Sequence, residues 1–179
     1  MNYITINDAN NISRALTEEG NIYGLSSDTD SHLMKNSEWG AVAYLAHSKY
    51  GLNGDEIGIN TNSRYKTGIG NNGGSAYNTD VGKNSSTTKN VYGIYDMSGG
   101  AHEYVAACFK GYTNMLLTEE KDVAYISKYI DVYESYNSPR FGDAVLETSS
   151  RSSGSTSWFS DSSGFVFSSN PVFRRGGGF

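Results

Sequence analysis

The chain has 179 residues and a net charge of −5, from 14 Lys and Arg against 19 Asp and Glu. Acidic and basic residues are interspersed, and the longest basic patch is Arg174-Arg175. Binding phosphate without regard to sequence needs clustered Lys and Arg, so this pattern argues against a nucleic-acid partner. No apolar run approaches the ~20 residues of a membrane-spanning helix. Met1 leads into a polar segment, without the basic start and apolar run of a signal peptide.

The length suits one domain, able to bury roughly 68–70% of its unfolded surface. Apolar content comes largely from tyrosine, with 14 Tyr against 7 Phe and 2 Trp, alongside 21 Gly. Together with abundant Ser and Asn this describes an irregular, turn-rich fold. The same residues suit adaptable binding surfaces, because Tyr offers rigid contact area and Ser, Gly and Asn offer flexible hydrogen bonding. The single cysteine, Cys108, cannot form an internal disulfide and reads as a reduced, buried thiol.

In chain order, Asn7 or Asp8 caps a short helix with Ala9, Ile12, Ala15 and Leu16 inward and Gly20 at its end. A stronger helix follows, capped by Asn36 or Ser37 with Glu38 in its first turn. Its apolar face is Trp39, Val42, Ala43, Leu45, Ala46 and Tyr50, ending at Gly51. From Leu52 to Lys89 the composition is that of a long loop. His102 to Phe109 reads as a strand. Thr118 caps a third helix with Val123, Ile126, Tyr129 and Ile130 inward. Gly164–Phe167 and Val172–Arg175 read as short strands, with Pro171 limiting their pairing. The class is α+β, loop-rich, with short strands and two to three helices, in a single domain over residues 1–179.

His32, His47 and His102 are dispersed, and no Gly-x-Ser-x-Gly elbow or zinc-ligand spacing occurs, so no catalytic residue is assigned. Gly68-Ile-Gly70 lacks the strand-before, helix-after setting of a nucleotide loop. The informative stretch is Asn90 to Val105. It places Asp96 and Glu103 on either side of Gly99-Gly100, where paired glycines allow a tight bend. Two readings are open: turn and surface carboxylates, or hard oxygens converging on Ca²⁺, which takes about 6–8 of them.

That stretch resembles the Gly-Leu-Tyr-Asp-Met-x-Gly-Asn-Val-Trp-Glu-Trp signature of formylglycine-generating enzymes, also called sulfatase-modifying factors. Gly93, Ile94, Tyr95, Asp96, Met97, Gly99 and Glu103 carry the match. Ser37-Glu-Trp39 and the helix around it resemble that family's Glu-Trp helix. Phe173-Arg-Arg-Gly-Gly-Gly178 resembles its Arg-Gly-Gly strand. Gly100 departs from the usual Asn, and His102 and Tyr104 stand where tryptophans pack in the family.

The resemblance implies a C-type-lectin-like fold of the formylglycine-generating variety, truncated at both ends. It implies calcium held by Asp96, the carbonyls of Gly99 and Ala101, and Glu103. Non-catalytic relatives include the ligand-binding variable proteins of diversity-generating retroelements, and the Glu38–Leu45 wording looks like surface or pilus-associated proteins of gut Firmicutes. The expectation is therefore a non-catalytic extracellular or cell-surface module, binding a protein or glycan on a cell or phage surface. Tyr65, Tyr77 and Trp158 are its candidate contact residues. The alternatives are a fragment of a formylglycine-generating oxidase, whose copper-binding cysteines would follow Phe179, and a structural pilus or surface subunit.

Overall fold

The computed structural model of the protein describes residues 4–55, 86–87, 94–95, 97–98, 102–134, 142–144 and 171–176. Its elements are α1 (Ile6–Ala15), α2 (Asn36–His47), β1 (Glu103–Phe109), a 3₁₀ turn (Thr113–Met115), α3 (Val123–Tyr129), β2 (Asp131–Tyr133) and β3 (Val172–Arg175). Among the described residues three helices and a three-stranded sheet, ordered β2-β1-β3, give the α+β class. The residues cluster into two compact units. The first comprises Met1–Asn36, Tyr104–Ser138 and Val166–Phe173. The second comprises Ser37–Glu103, Pro139–Phe165 and Arg174–Phe179.

β1 is the central strand because Val105-Ala-Ala-Cys108 is apolar without alternation, so both its faces can be buried. All four residues are no more than 1% exposed. β2 pairs with it in parallel, Ala107 opposite Asp131 and Phe109 opposite Tyr133. Amides alternate between the two edges of a strand. Ala106 N accordingly donates to Met34 O at 2.7 Å, while Phe109 N donates to Pro171 O at 2.8 Å on the other side. Pro171 supplies a carbonyl to the ladder, since proline lacks the donor but keeps the acceptor. The expected strand Gly164–Phe167, whose pairing with Val172–Arg175 Pro171 was to limit, lies outside the described residues.

The core of the first unit gathers Ile6 from α1, Ala106 and Cys108 from β1, Leu116 and Leu117, Tyr129 and Ile130 from the end of α3, and Val172 from β3. The helix boundaries differ from the sequence reading. Thr5 caps α1, its hydroxyl accepting from Asp8 N at 3.1 Å, and Ile6, Ala9 and Asn10 form the buried side while Ile12 is exposed. Asp122, not Thr118, caps α3, accepting from Tyr125 N at 2.7 Å. That shift turns Val123 outward, to 82% exposure. Within α2 the buried positions are Asn36, Trp39, Gly40, Ala43 and Ala46, one helical stripe, whereas Leu45 is 53% exposed. β2 had no sequence signal at three residues in length.

Candidate functional site

In the second unit α2 presents Trp39, 4% exposed, to the end of β3. Arg175 lies there fully buried, its guanidinium carbon 4.4 Å from the Trp39 ring centroid. An arginine fits this position because its planar, weakly hydrated cation stacks on an indole face and still donates in the ring plane. Its Nη2 donates to Asp143 O at 2.7 Å. The 142–144 turn approaches α2 so closely that a Cβ on Gly40 would lie 2.6 Å from the Asp143 carbonyl carbon. Glycine beside Trp39 is thus a packing requirement.

One residue beyond Arg175, Gly176 adopts φ +82°, in the left-handed region that favours glycine. A Cβ there would collide with Oε2 of Glu103. The Glu103 carboxylate therefore lies directly against the Gly176 backbone. His102, next in sequence, is exposed. Its pKa is nonetheless lowered, first by partial desolvation and second by the Arg174 charge, against a hydrogen bond with the Arg175 backbone.

Upstream, Met97 and Ser98 are buried. Thr87 organises this segment, its amide donating to Ile94 O at 2.7 Å and its hydroxyl accepting from Met97 N at 3.1 Å. The Ser98 hydroxyl is buried with no hydrogen-bond partner among the described residues. Buried polar atoms are nearly always satisfied, so this orphan hydroxyl, two residues after Asp96 in the sequence, is a place for a hard cation or water. Its donor chemistry, and that of the Glu103 carboxylate, fits calcium. Of the expected calcium ligands, Asp96, Gly99 and Ala101 lie outside the described residues, as do the candidate contacts Tyr65, Tyr77 and Trp158. Among the described residues no group of three or more His, Cys, Asp or Glu could hold a metal ion.

The first unit carries a second polar centre, around Asp30. Arg14 Nη1 reaches Asp30 Oδ1 at 2.9 Å, Lys128 Nζ reaches Oδ2 at 2.9 Å, and the Tyr129 hydroxyl donates to Oδ1 at 3.0 Å. Arg14 and Lys128 also lie over the Tyr129 ring, at 4.3 and 4.7 Å from its centroid. Hydrogen bonding from Lys128, then from Tyr129 and Arg14, outweighs desolvation and lowers the Asp30 pKa to about 2. Residues 14, 30 and 128–129 share no motif or spacing, so nothing in the sequence pointed to this cluster.

Cys108 is the buried thiol the sequence suggested, and desolvation pushes it up to about 12. It holds no thiolate at neutral pH and cannot act as a nucleophile from this position. Compared with known proteins, the chain matches no family model, no curated protein and no solved structure. No helix among the described residues is long and apolar enough to cross a membrane.

Proposed function

We propose that the protein is a non-catalytic ligand-binding module on a calcium-stabilised scaffold of the C-type-lectin-like, formylglycine-generating-enzyme variety, working outside the cell or at its surface. One observation carries the reading. The three stretches on which the family resemblance rests are far apart in sequence, yet residues of all three gather within the second unit. Trp39 stacks on Arg175, and Glu103 lies against Gly176. Residues shared with a family by accident would have no reason to adjoin one another.

In this reading Asp96, the Gly99 and Ala101 carbonyls and Glu103 hold Ca²⁺, whose role is to fix a loop that side-chain packing alone would leave loosely defined. Gly176 keeps the space beside Glu103 clear. The ligand, a protein or glycan on a cell or phage surface, is met by aromatic loop residues, with Tyr65, Tyr77 and Trp158 as the candidates.

Thermal melts with Ca²⁺ and with chelator test the metal, and glycan and protein arrays test the ligand. Saturating Ca²⁺ stabilises by about 2.7 kcal/mol when free ion is 100 times Kd. Glu103→Gln keeps the shape, removes the charge and loses most of that gain. His102→Ala keeps it, because imidazole is a poor ligand for a hard cation. Identical wild-type melts across millimolar Ca²⁺ would return Asp96 and Glu103 to turn and surface roles. Silence on both arrays would remove the binding reading.

A further inference from the structure

The loop that follows α1 presents two adjacent apolar side chains to water, Ile22 at 89% exposure and Tyr23 at 66%. Single exposed apolar residues are ordinary, but isoleucine is among the residues most often buried, and here it stands beside an exposed aromatic. The backbone beneath the pair is held firmly. Asn21 uses both ends of its side-chain amide: Oδ1 accepts from Tyr23 N at 3.0 Å and Leu25 N at 3.1 Å, while Nδ2 donates to the carbonyls of Glu18 and Leu25. Where the loop returns to α1, Arg14 donates to Ser31 O at 2.9 Å and the Ser31 hydroxyl donates to Ser13 O at 2.6 Å. An apolar pair on a preset backbone loses little freedom when a partner covers it.

The charges around this tip select its partner. Residues 16–34 carry the carboxylates of Glu18, Glu19, Asp28 and Asp30 and contain no Lys or Arg. Arg14 and Lys128 neutralise Asp30. The other three are exposed, and their carboxylates make no hydrogen bond or ion pair with a described residue. Unpaired carboxylates repel nucleic acid and anionic lipid surfaces. A second copy of the chain would bring the same acidic loop and its own net charge of −5. A protein surface that sets Lys and Arg beside apolar side chains matches the tip in both respects.

We propose that the Ile22–Tyr23 tip docks against a basic amphipathic segment of a partner protein, an apolar stripe flanked by Lys and Arg. Ile22 and the Tyr23 ring cover the stripe, and the Tyr23 hydroxyl stays at its edge for a hydrogen bond. Glu18, Glu19 and Asp28 meet the flanking cations. Those charges set orientation and association rate, whereas the apolar pair sets how long the complex lasts. The surface belongs to the first unit and uses none of the residues proposed for calcium or for ligand contact.

The test is fluorescence anisotropy of the whole chain with labelled amphipathic peptides built from Lys or Arg and Leu, Phe or Trp. The comparisons are the same peptides with Glu in place of the cations, oligolysine, and vesicles of phosphatidylcholine with and without phosphatidylglycerol. At least one basic amphipathic peptide binds, more weakly in high salt, and the comparisons bind less. Ile22→Ser and Tyr23→Ser, at exposed positions and checked for unchanged melting, each weaken it about tenfold. Glu18→Gln together with Glu19→Gln weakens it about threefold and flattens the salt dependence. Glu103→Gln leaves it unchanged. The proposal fails if no basic amphipathic peptide binds, or if oligolysine binds as tightly, which would make the contact one of charge alone. It also fails if both serine variants bind as the wild type does, or if either vesicle is preferred, which would make the tip a membrane contact. Peptide binding lost in Glu103→Gln but kept in the serine variants overturns this surface and leaves the proposed ligand-binding module standing.

Discussion

Two arginines of this protein make the same contact in opposite surroundings. Arg14 sits 4.3 Å over the Tyr129 ring in the first unit, and Arg175 sits 4.4 Å over the Trp39 ring in the second. Arg14 keeps a third of its side chain in solvent and shares Asp30 with Lys128, whereas Arg175 is fully buried. Exposed ion pairs are screened and contribute little, while a buried guanidinium has lost its water and depends on every partner it keeps. Equal distances therefore do not mean equal energies. Solvent decides which arginine the fold relies on.

The largest expected effect tests that difference directly. Arg175→Ala removes the packing on Trp39 and strands the Asp143 carbonyl, costing about 3 kcal/mol, or about 6–12 °C in melting temperature for a chain of this size. Arg175→Lys does not restore it, because a point charge cannot stack and donate together. Arg175→Met keeps the volume and discards the buried charge. A near-wild-type melt for that variant would show that desolvation had cancelled what the guanidinium contributes, and the contrast between the two arginines would then rest on packing alone.

Next come the glycines that bring the second unit together. Gly176→Ala sets a methyl group against Glu103 at φ +82°, and Gly40→Ala sets one 2.6 Å from the Asp143 backbone. Each costs about 2–3 kcal/mol in thermal or denaturant unfolding. Gly176→Ala additionally blunts the Ca²⁺ response, because the Glu103 carboxylate must move, whereas Gly40→Ala leaves it intact. Equal Ca²⁺ responses in the two variants would separate Glu103 from the metal.

The Asp30 cluster gives a smaller, pH-dependent effect. Its folded pKa is about 2 against a usual 3.8, so the native state holds the proton less readily than the unfolded chain. The stabilisation is fully present above pH 4 and is lost as pH falls through about 2. Asp30→Asn flattens the stability curve over that window, lowering stability at neutral pH and converging on the wild type as pH falls to about 2. High salt weakens the wild-type effect, since the Debye length shrinks to ~3 Å at 1 M. Cys108 gives the smallest change of all. A thiol reagent leaves it unlabelled in the native protein at pH 8 and labels it in denaturant, and rapid native labelling would contradict its burial.

Much of the scaffold was legible from residue order. Val105–Cys108 is an unbroken apolar run long enough only for a strand, and Trp39, Ala43 and Ala46 recur at helical spacing. These are local signals, set by side-chain period and backbone propensity. Helix ends were misplaced where two capping residues competed. Thr5 prevailed over Asn7 and Asp8, and Asp122 over Thr118, because the choice depends on which start turns the apolar stripe inward.

The sequence by itself determined that Glu103, Trp39 and the Arg-Gly-Gly stretch were the residues to watch, and that Cys108 would be a buried thiol. Only the tertiary structure decided that Trp39 meets Arg175 and that Glu103 meets Gly176. It alone joined Arg14, Asp30, Lys128 and Tyr129 into one cluster and buried Asn10, whose Nδ2 donates to Leu116 O. The physical reason is range. Propensity, capping and periodicity act over a few residues, while stacking, burial and desolvation act between groups that chain separation leaves unrelated until the core has formed.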